Sequence, residues 1–300
     1  MQMTKLGATV RQIRQNKGLT LAAVADSQIT ESFLSKFERG VTDISVTKFL
    51  HLLDRILTTP EEFFYLHGNV PLPQPARGDG YQTRAVLMHR LLPSGASEQM
   101  AAERYRTAPT LLNALTWRVQ QMQQAPLTQI GQGRFSAEAV HYLYRVDDWG
   151  EFELYLFTFF ALDMHLADER RLFKVALNRS QKYSTFRGAP LLRFDITHNQ
   201  LFIEMRKQAY PVAKSDLTIY AALLEDRPNA QHEIYYRFIQ AWWLYRTNQQ
   251  TAAANAAATT VQLAAALRLH HLAQFAQDTL TAVATHGPEY DQSFFELLIE

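Results

Sequence analysis

Arg11, Arg14 and Lys17 recur every three residues, a spacing that predicts one cationic strip on a helix, fit to straddle a phosphate backbone. Glu31, Ser32, Ser35 and Lys36 follow a short way on. On a second helix they share an outward face near the N-terminal end, the part of a recognition helix that meets base edges in the major groove of DNA. Lys36 can reach a guanine or a phosphate, the serines a base or a phosphate, and Glu31 the amino group of cytosine. Ser45, just before a further helix, offers with the free amides behind it an uncharged phosphate site. Taken singly, each Arg or Lys reads equally well as a solvated surface charge. Glu31 works against the reading, because an unpaired carboxylate in the groove repels phosphate.

Catalytic and metal chemistry have no comparable pattern. The chain has no Cys, which removes disulfides, thiolate nucleophiles and Cys-based metal sites together. Ten His are present, but no HExxH occurs, and the adjacent His270 and His271 point about 100° apart on a helix. Gly131-Gln-Gly133 lacks the third glycine of a dinucleotide fingerprint and reads as a loop. No GxSxG or P-loop is found. The expectation is a protein that is not an enzyme and holds no cofactor and no metal.

The elements that must position these residues are helices. Only 12 Gly occur in 300 residues, and apolar residues recur at helical spacing almost throughout, so the predicted fold class is all-α. Five short helices are expected in the first 68 residues, over Leu6–Asn16, Leu21–Ser27, Glu31–Arg39, from Ser45 to Leu57, and from Pro60 on. Thr20, Thr30 and Ser45 stand as their caps, and Gly18 and Gly40 as stops. Residues 20–40, TLAAVADSQITESFLSKFERG, have a helix-turn-helix layout: Ala25 is the small residue at the junction, with Val24, Ile29, Leu34 and Phe37 as apolar contacts. Three alternate prolines and two glycines over Asn69–Gly80 predict a linker. The expected domains are therefore residues 1–68, a linker at 69–80, and a helical-repeat domain over 81–300. In the last, helix pairs follow every 35 to 45 residues or so, from Tyr81–Leu91 to Glu289–Ile299.

Net charge sets limits on partners. At +1 overall, no global charge points to nucleic acid or membrane, so any basic surface is local. Residues 1–55 hold eight Lys or Arg against five Asp or Glu, an excess small enough that a single module should bind weakly and a dimer on two half-sites is expected. The first nine residues lack the apolar core of a secretory signal, and the richest apolar stretch, Phe152–Leu162, is eleven residues long and contains Glu153. A buried helix explains that stretch better than a membrane span, and a cytoplasmic location with no membrane partner is expected.

The stretch VRQIRQNKGLTLAAVADSQITESFLSKFERGVTDISVTKFLHLLDRILTTPEEFFYL, above all FLSKFERG followed by DIS and LLDRI, closely resembles the XRE-type N-terminal module of Rgg-type (Rgg/GadR/MutR-like) regulators of Gram-positive bacteria. YLYRVDDWGEFELYLF, residues 142–157, is similar to the Trp-Gly-aromatic-aromatic-Glu segment of that family's helical-repeat domain. With length and domain order, the resemblance covers essentially the whole chain. It implies a homodimeric transcription factor whose TPR-like C-terminal repeats bind a short, imported signalling peptide, as in quorum sensing. Some members link protomers through a Cys; here a dimer must be non-covalent.

For the peptide, the candidates are Asn199 and Arg206, seven apart on one helix face, and Arg237 and Gln240 on a later helix. Asn can satisfy both groups of a peptide amide, and Arg237 can pair a carboxylate; by resemblance, Asn199 also falls where the family places an inward polar residue. An ordinary surface or interhelix role stands beside each of these. Phe152, Tyr155, Phe159 and Phe160, and Tyr235, Trp242 and Trp243, read as core more readily than as a ligand pocket. Leu263, Leu267 and Leu298 suit interhelix or dimer packing. Two functions stay open: a peptide-controlled regulator of DNA, or a constitutive or partner-controlled regulator or scaffold whose repeats serve dimerisation or protein docking.

Overall fold

The computed structural model describes residues 4–68, 91, 97–184 and 191–293. The expected linker, all but Leu91 of the helix expected over Tyr81–Leu91, and Leu298 lie outside them. Among the described residues there are fifteen α-helices and no strand. Two compact units result, residues 1–192 and 193–300.

In the first unit, α1 (Thr4–Asn16), α2 (Leu21–Val24), α3 (Glu31–Glu38), α4 (Val46–Arg55) and α5 (Pro60–Gly68) form the N-terminal module. Each start has a local cause. Thr20, Thr30 and Ser45 have extended backbones, and their side-chain oxygens accept from the amides of Ala23, Phe33 and Lys48 at 3.1, 3.2 and 3.3 Å, satisfying donors that a helix start leaves open. Val24, Ile29, Leu34, Phe37, Leu52, Ile56 and Phe63 pack into a core belonging to the module alone. Truncating Leu34, which is fully buried, to Ala would cost about 2 to 5 kcal/mol. α1 crosses α3 at Gly7, where a Cβ would stand 2.0 Å from the Phe37 carbonyl oxygen; only glycine permits that approach.

The same unit continues through α6 (Glu98–Thr107), α7 (Leu111–Gln124), α8 (Ala137–Arg145), α9 (Glu151–Phe160) and α10 (Leu166–Arg179). α9 is the helix expected from the apolar stretch and is buried along most of its length. Buried Asp163 organises the loop before α8 by accepting from the amides of Gly131, Phe135 and Ser136 at 3.1, 2.7 and 2.8 Å. Packing therefore does not divide the chain at the end of the module. The bonds from the Asp147 amide to the Asn16 carbonyl (2.9 Å) and from the Glu151 amide to Glu62 (2.7 Å) tie the module to the segments around α9.

The second unit holds α11 (Leu192–Arg206, entered one residue before the boundary), α12 (Tyr210–Asp226), α13 (Ala230–Arg246), α14 (Gln250–Ala266) and α15 (His270–Thr285). α13 packs on α12, α14 and α15. The sequence shows no recurring signature here, yet the backbone repeats. α11, α13 and α14 all end in a residue of positive φ, Gln208, Asn248 and Arg268 (57°, 61° and 60°). In each case the following amide bonds back five residues into the helix, as Ala209 to Glu204, Gln249 to Leu244 and Leu269 to Ala264. This is the Schellman ending that glycine usually supplies. Where a helix is expected over Glu289–Ile299, the described part is a 3-10 turn, Pro288–Ser293. Its Asp291 is fully buried, accepting from Trp242 Nε1 (2.9 Å) and pairing with Arg246 (Nε–Oδ2 2.7 Å).

Candidate nucleic-acid interface and effector face

α3 presents a polar outer face. Glu31, Ser32, Lys36 and Arg39 are exposed and Ser35 is half-buried, while Leu34 and Phe37 point into the core. Thr30 caps the start of the helix, and Ser45 caps α4 close by in sequence. Arg11 is exposed on α1. These are the groups open to a partner.

Arg14 and Lys17 do not share that surface, and the expected basic strip is corrected here. Arg14 is 7% exposed and grips Glu38 with two bonds, Nε–Oε1 at 2.6 Å and Nη2–Oε2 at 2.8 Å, while Nη1 donates to the Leu19 carbonyl at 2.6 Å. The hydrogen bond that Arg14 donates to Glu38 outweighs burial and raises the Arg14 pKa. Lys17 is 4% exposed, with Nζ 3.1 Å from Glu153 Oε1 and 2.8 Å from the Leu57 carbonyl. The cause is helical geometry. Three residues advance about 300°, so each step drifts about 60° around the helix, and six residues carry the series from solvent to the interior.

Arg14 therefore acts on α3 from behind: Glu38 is in the last turn of α3, so the buried pair fixes that helix against α1. The turn between α2 and α3 is held from α4. Asp26 Oδ1 accepts from the amides of Gln28 and Ile29 at 2.8 and 3.0 Å, and its Oδ2 lies 2.6 Å from His51 Nε2. Burial pushes the Asp26 carboxyl up, but the Gln28 amide, His51 and the Ile29 amide outweigh it and the pKa falls. Arg55 Nε and Nη2 donate to the Val24 and Ala23 carbonyls at 3.0 and 2.8 Å, closing the end of α2. Glu38, Asp26, His51 and Arg55 were not singled out from the sequence. Their partners lie 24 to 32 residues away, beyond any local pattern.

In the second unit Asn199 and Arg206 lie on α11 and are 6% and 7% exposed. Burial lowers the Arg206 pKa to about 10, against the pull of the Asp291 carboxylate. Arg237, on α13, pairs with Glu233 one turn earlier (2.6 Å), and Gln240 is half-buried. Phe152, Phe160 and Trp242 are core, whereas Tyr155, Phe159, Tyr235 and Trp243 are half-buried. Leu263 packs against Ile234 and Ala264, while Leu267 is 45% exposed. Among the described residues no cluster of three His, Asp or Glu could hold a metal ion, and no helix is long and apolar enough to cross a membrane.

Comparison with known proteins gives this architecture a family. A protein from Listeria monocytogenes EGD-e described as a transcriptional regulator shares the fold with TM-score 0.51 at 18% identity, over 94% of this chain and 97% of that one. The SHP pheromone receptor Rgg2(C45S) of Streptococcus dysgalactiae aligns with TM-score 0.48 at 19% identity, over 92% and 98% of the two chains. ComR from S. thermophilus, solved with DNA and its signalling peptide ComS, aligns with TM-score 0.43 at 11% identity, over 93% and 99%. Residues 96–278, more than half of the chain, match the family described as HTH-type transcriptional regulator Rgg, C-terminal domain. Joined to a helix-turn-helix module with a polar outer face, that match settles the assignment: the chain belongs to the Rgg family of helix-turn-helix transcriptional regulators.

Proposed function

We propose that the protein regulates transcription by reading operator DNA with α3 and by binding a short signalling peptide in its helical-repeat region. The observation that carries the first half is the exposed set Glu31, Ser32 and Lys36 on a capped helix braced by a buried ion pair, Arg14–Glu38, and by the half-buried Asp26–His51 hydrogen bond. A rigid helix whose outward residues are short and polar suits groove readout. The proposed contacts are Glu31, Ser32, Ser35 and Lys36 with bases or phosphate, and Arg11 and Ser45 with phosphate. Arg14 and Lys17 act by positioning instead.

The peptide half rests on family membership and on the polar residues of α11 and α13, Asn199, Arg206, Arg237 and Gln240, as candidate partners for an extended chain. The protein is proposed to work as a non-covalent homodimer in the cytoplasm. Fluorescence anisotropy with DNA from upstream of the protein's own operon, across a salt series and with short peptides encoded beside it, tests both halves. Salt-sensitive binding shifted by one peptide is expected. Binding unaffected by every such peptide would remove the sensor, and absence of binding would remove the regulator of that DNA.

A further inference from the structure

The module has an apolar core of its own, yet what joins it to α9 is a buried polar cluster. Glu62, on α5, accepts from the Glu151 amide at 2.7 Å and from the Tyr183 hydroxyl. Lys17, in the turn just after α1, reaches Glu153 at 3.1 Å, and its Nζ lies 5.5 Å from the centre of the Phe152 ring. Glu153 in turn accepts from the Gly150 amide (2.7 Å) and the Tyr142 hydroxyl (2.5 Å). Glu62 and Glu153 are 1% and 0% exposed. The first amides of α9 are thus capped twice, once by its own Glu153 and once by a carboxylate from the DNA-binding module. A Cβ on Gly150 would come within 2.7 Å of Glu62 Oε1 and 3.0 Å of Glu153 Oε2, so the contact requires glycine there.

We propose that Glu62, with Lys17, is the positioning pair that locks the DNA-binding module onto the N-terminus of α9, so that the orientation of α3 follows α9 and not the chain between residues 68 and 97. A cluster of this kind is strict in geometry and modest in net energy, because its charges regain water when it opens. Removing one partner is different: it strands the others in the interior and favours the open arrangement. The consequence for DNA rests on α3 being the recognition helix; the positioning itself does not.

The chain has no Cys, so a spin-label pair can be placed at Gln15 and Lys174, both exposed, on α1 and α10. Electron–electron double resonance without DNA should give one narrow distance peak. Glu62→Ala and Gly150→Ala should each lose that peak to a broad distribution at unchanged far-UV helicity. Glu62→Gln, which keeps an oxygen for the Glu151 amide, should retain it. An unchanged narrow peak in both disruptive variants would overturn the proposal. So would loss of helicity in both, since the cluster would then support folding and not orientation. A failed DNA reading would leave these distances as they are.

Discussion

Arg11 and Arg14 stand one turn apart on α1 and do opposite things. Arg11 faces solvent, whereas Arg14 is shut inside with Glu38 and Lys17, one turn further, is shut inside with Glu153. The outer face of the module is exposed to solvent. The inner edge is a set of buried charges, each needing its partner. The difference teaches that cations needed by a DNA-binding module divide into those that touch the ligand and those that hold the surface in shape. Charge counts over the sequence add the two together.

The comparison breaks most visibly at Arg14. Arg14→Ala leaves Glu38 buried without its two strong bonds, and a loss of about 3 to 5 kcal/mol is expected, read as a lower urea midpoint for the module. Joint replacement by Met at 14 and Leu at 38 should recover much of it. A single variant as stable as the parent would show that the pair does not brace α3. A pH effect of comparable size is expected in the second unit, where burial keeps two imidazoles neutral. Burial lowers His232 to about 4, and burial with nearby His232 lowers His198 to about 3. Unfolded histidines titrate near 6.5, so on acidification the unfolded chain takes up protons first. Stability is whole above pH 6.5 and falls from there to about pH 4 for His232 and about pH 3 for His198, by up to about 1.4 kcal/mol per pH unit per group. Urea midpoints at pH 7 and 4.5 read the loss, and His232→Gln should shrink it. A flat profile would contradict the burial of a neutral imidazole. Smallest is Arg11→Gln: folding stability should stay within about 0.5 kcal/mol.

Much of the module was legible because its signals are local. Thr20, Thr30 and Ser45 bond to amides three residues on, and the apolar contacts of the helix-turn-helix follow helical spacing. The inner edge was not legible, because Glu62 meets Glu151 across 89 residues and Tyr183 across 121. The 142–157 segment stood out by its resemblance, and the structure supplies the reason: Trp149 is buried, with Nε1 on the Leu143 carbonyl at 3.2 Å, and Gly150 makes room for two carboxylates. The repeats of the second unit hid for another reason. Their turns recur as backbone conformations at Gln208, Asn248 and Arg268, positions not marked by the glycine that usually signals such a turn.

The most direct test of the outer face is the salt dependence of DNA affinity for the parent and for Lys36→Ala. If Lys36 meets phosphate, the slope of log K against log salt should shrink by about one while the urea midpoint stays put. If it meets a guanine, affinity should fall for the preferred sequence by about 1 to 3 kcal/mol. An unchanged slope, together with unchanged affinity for every sequence tried, would contradict the placement of DNA on α3.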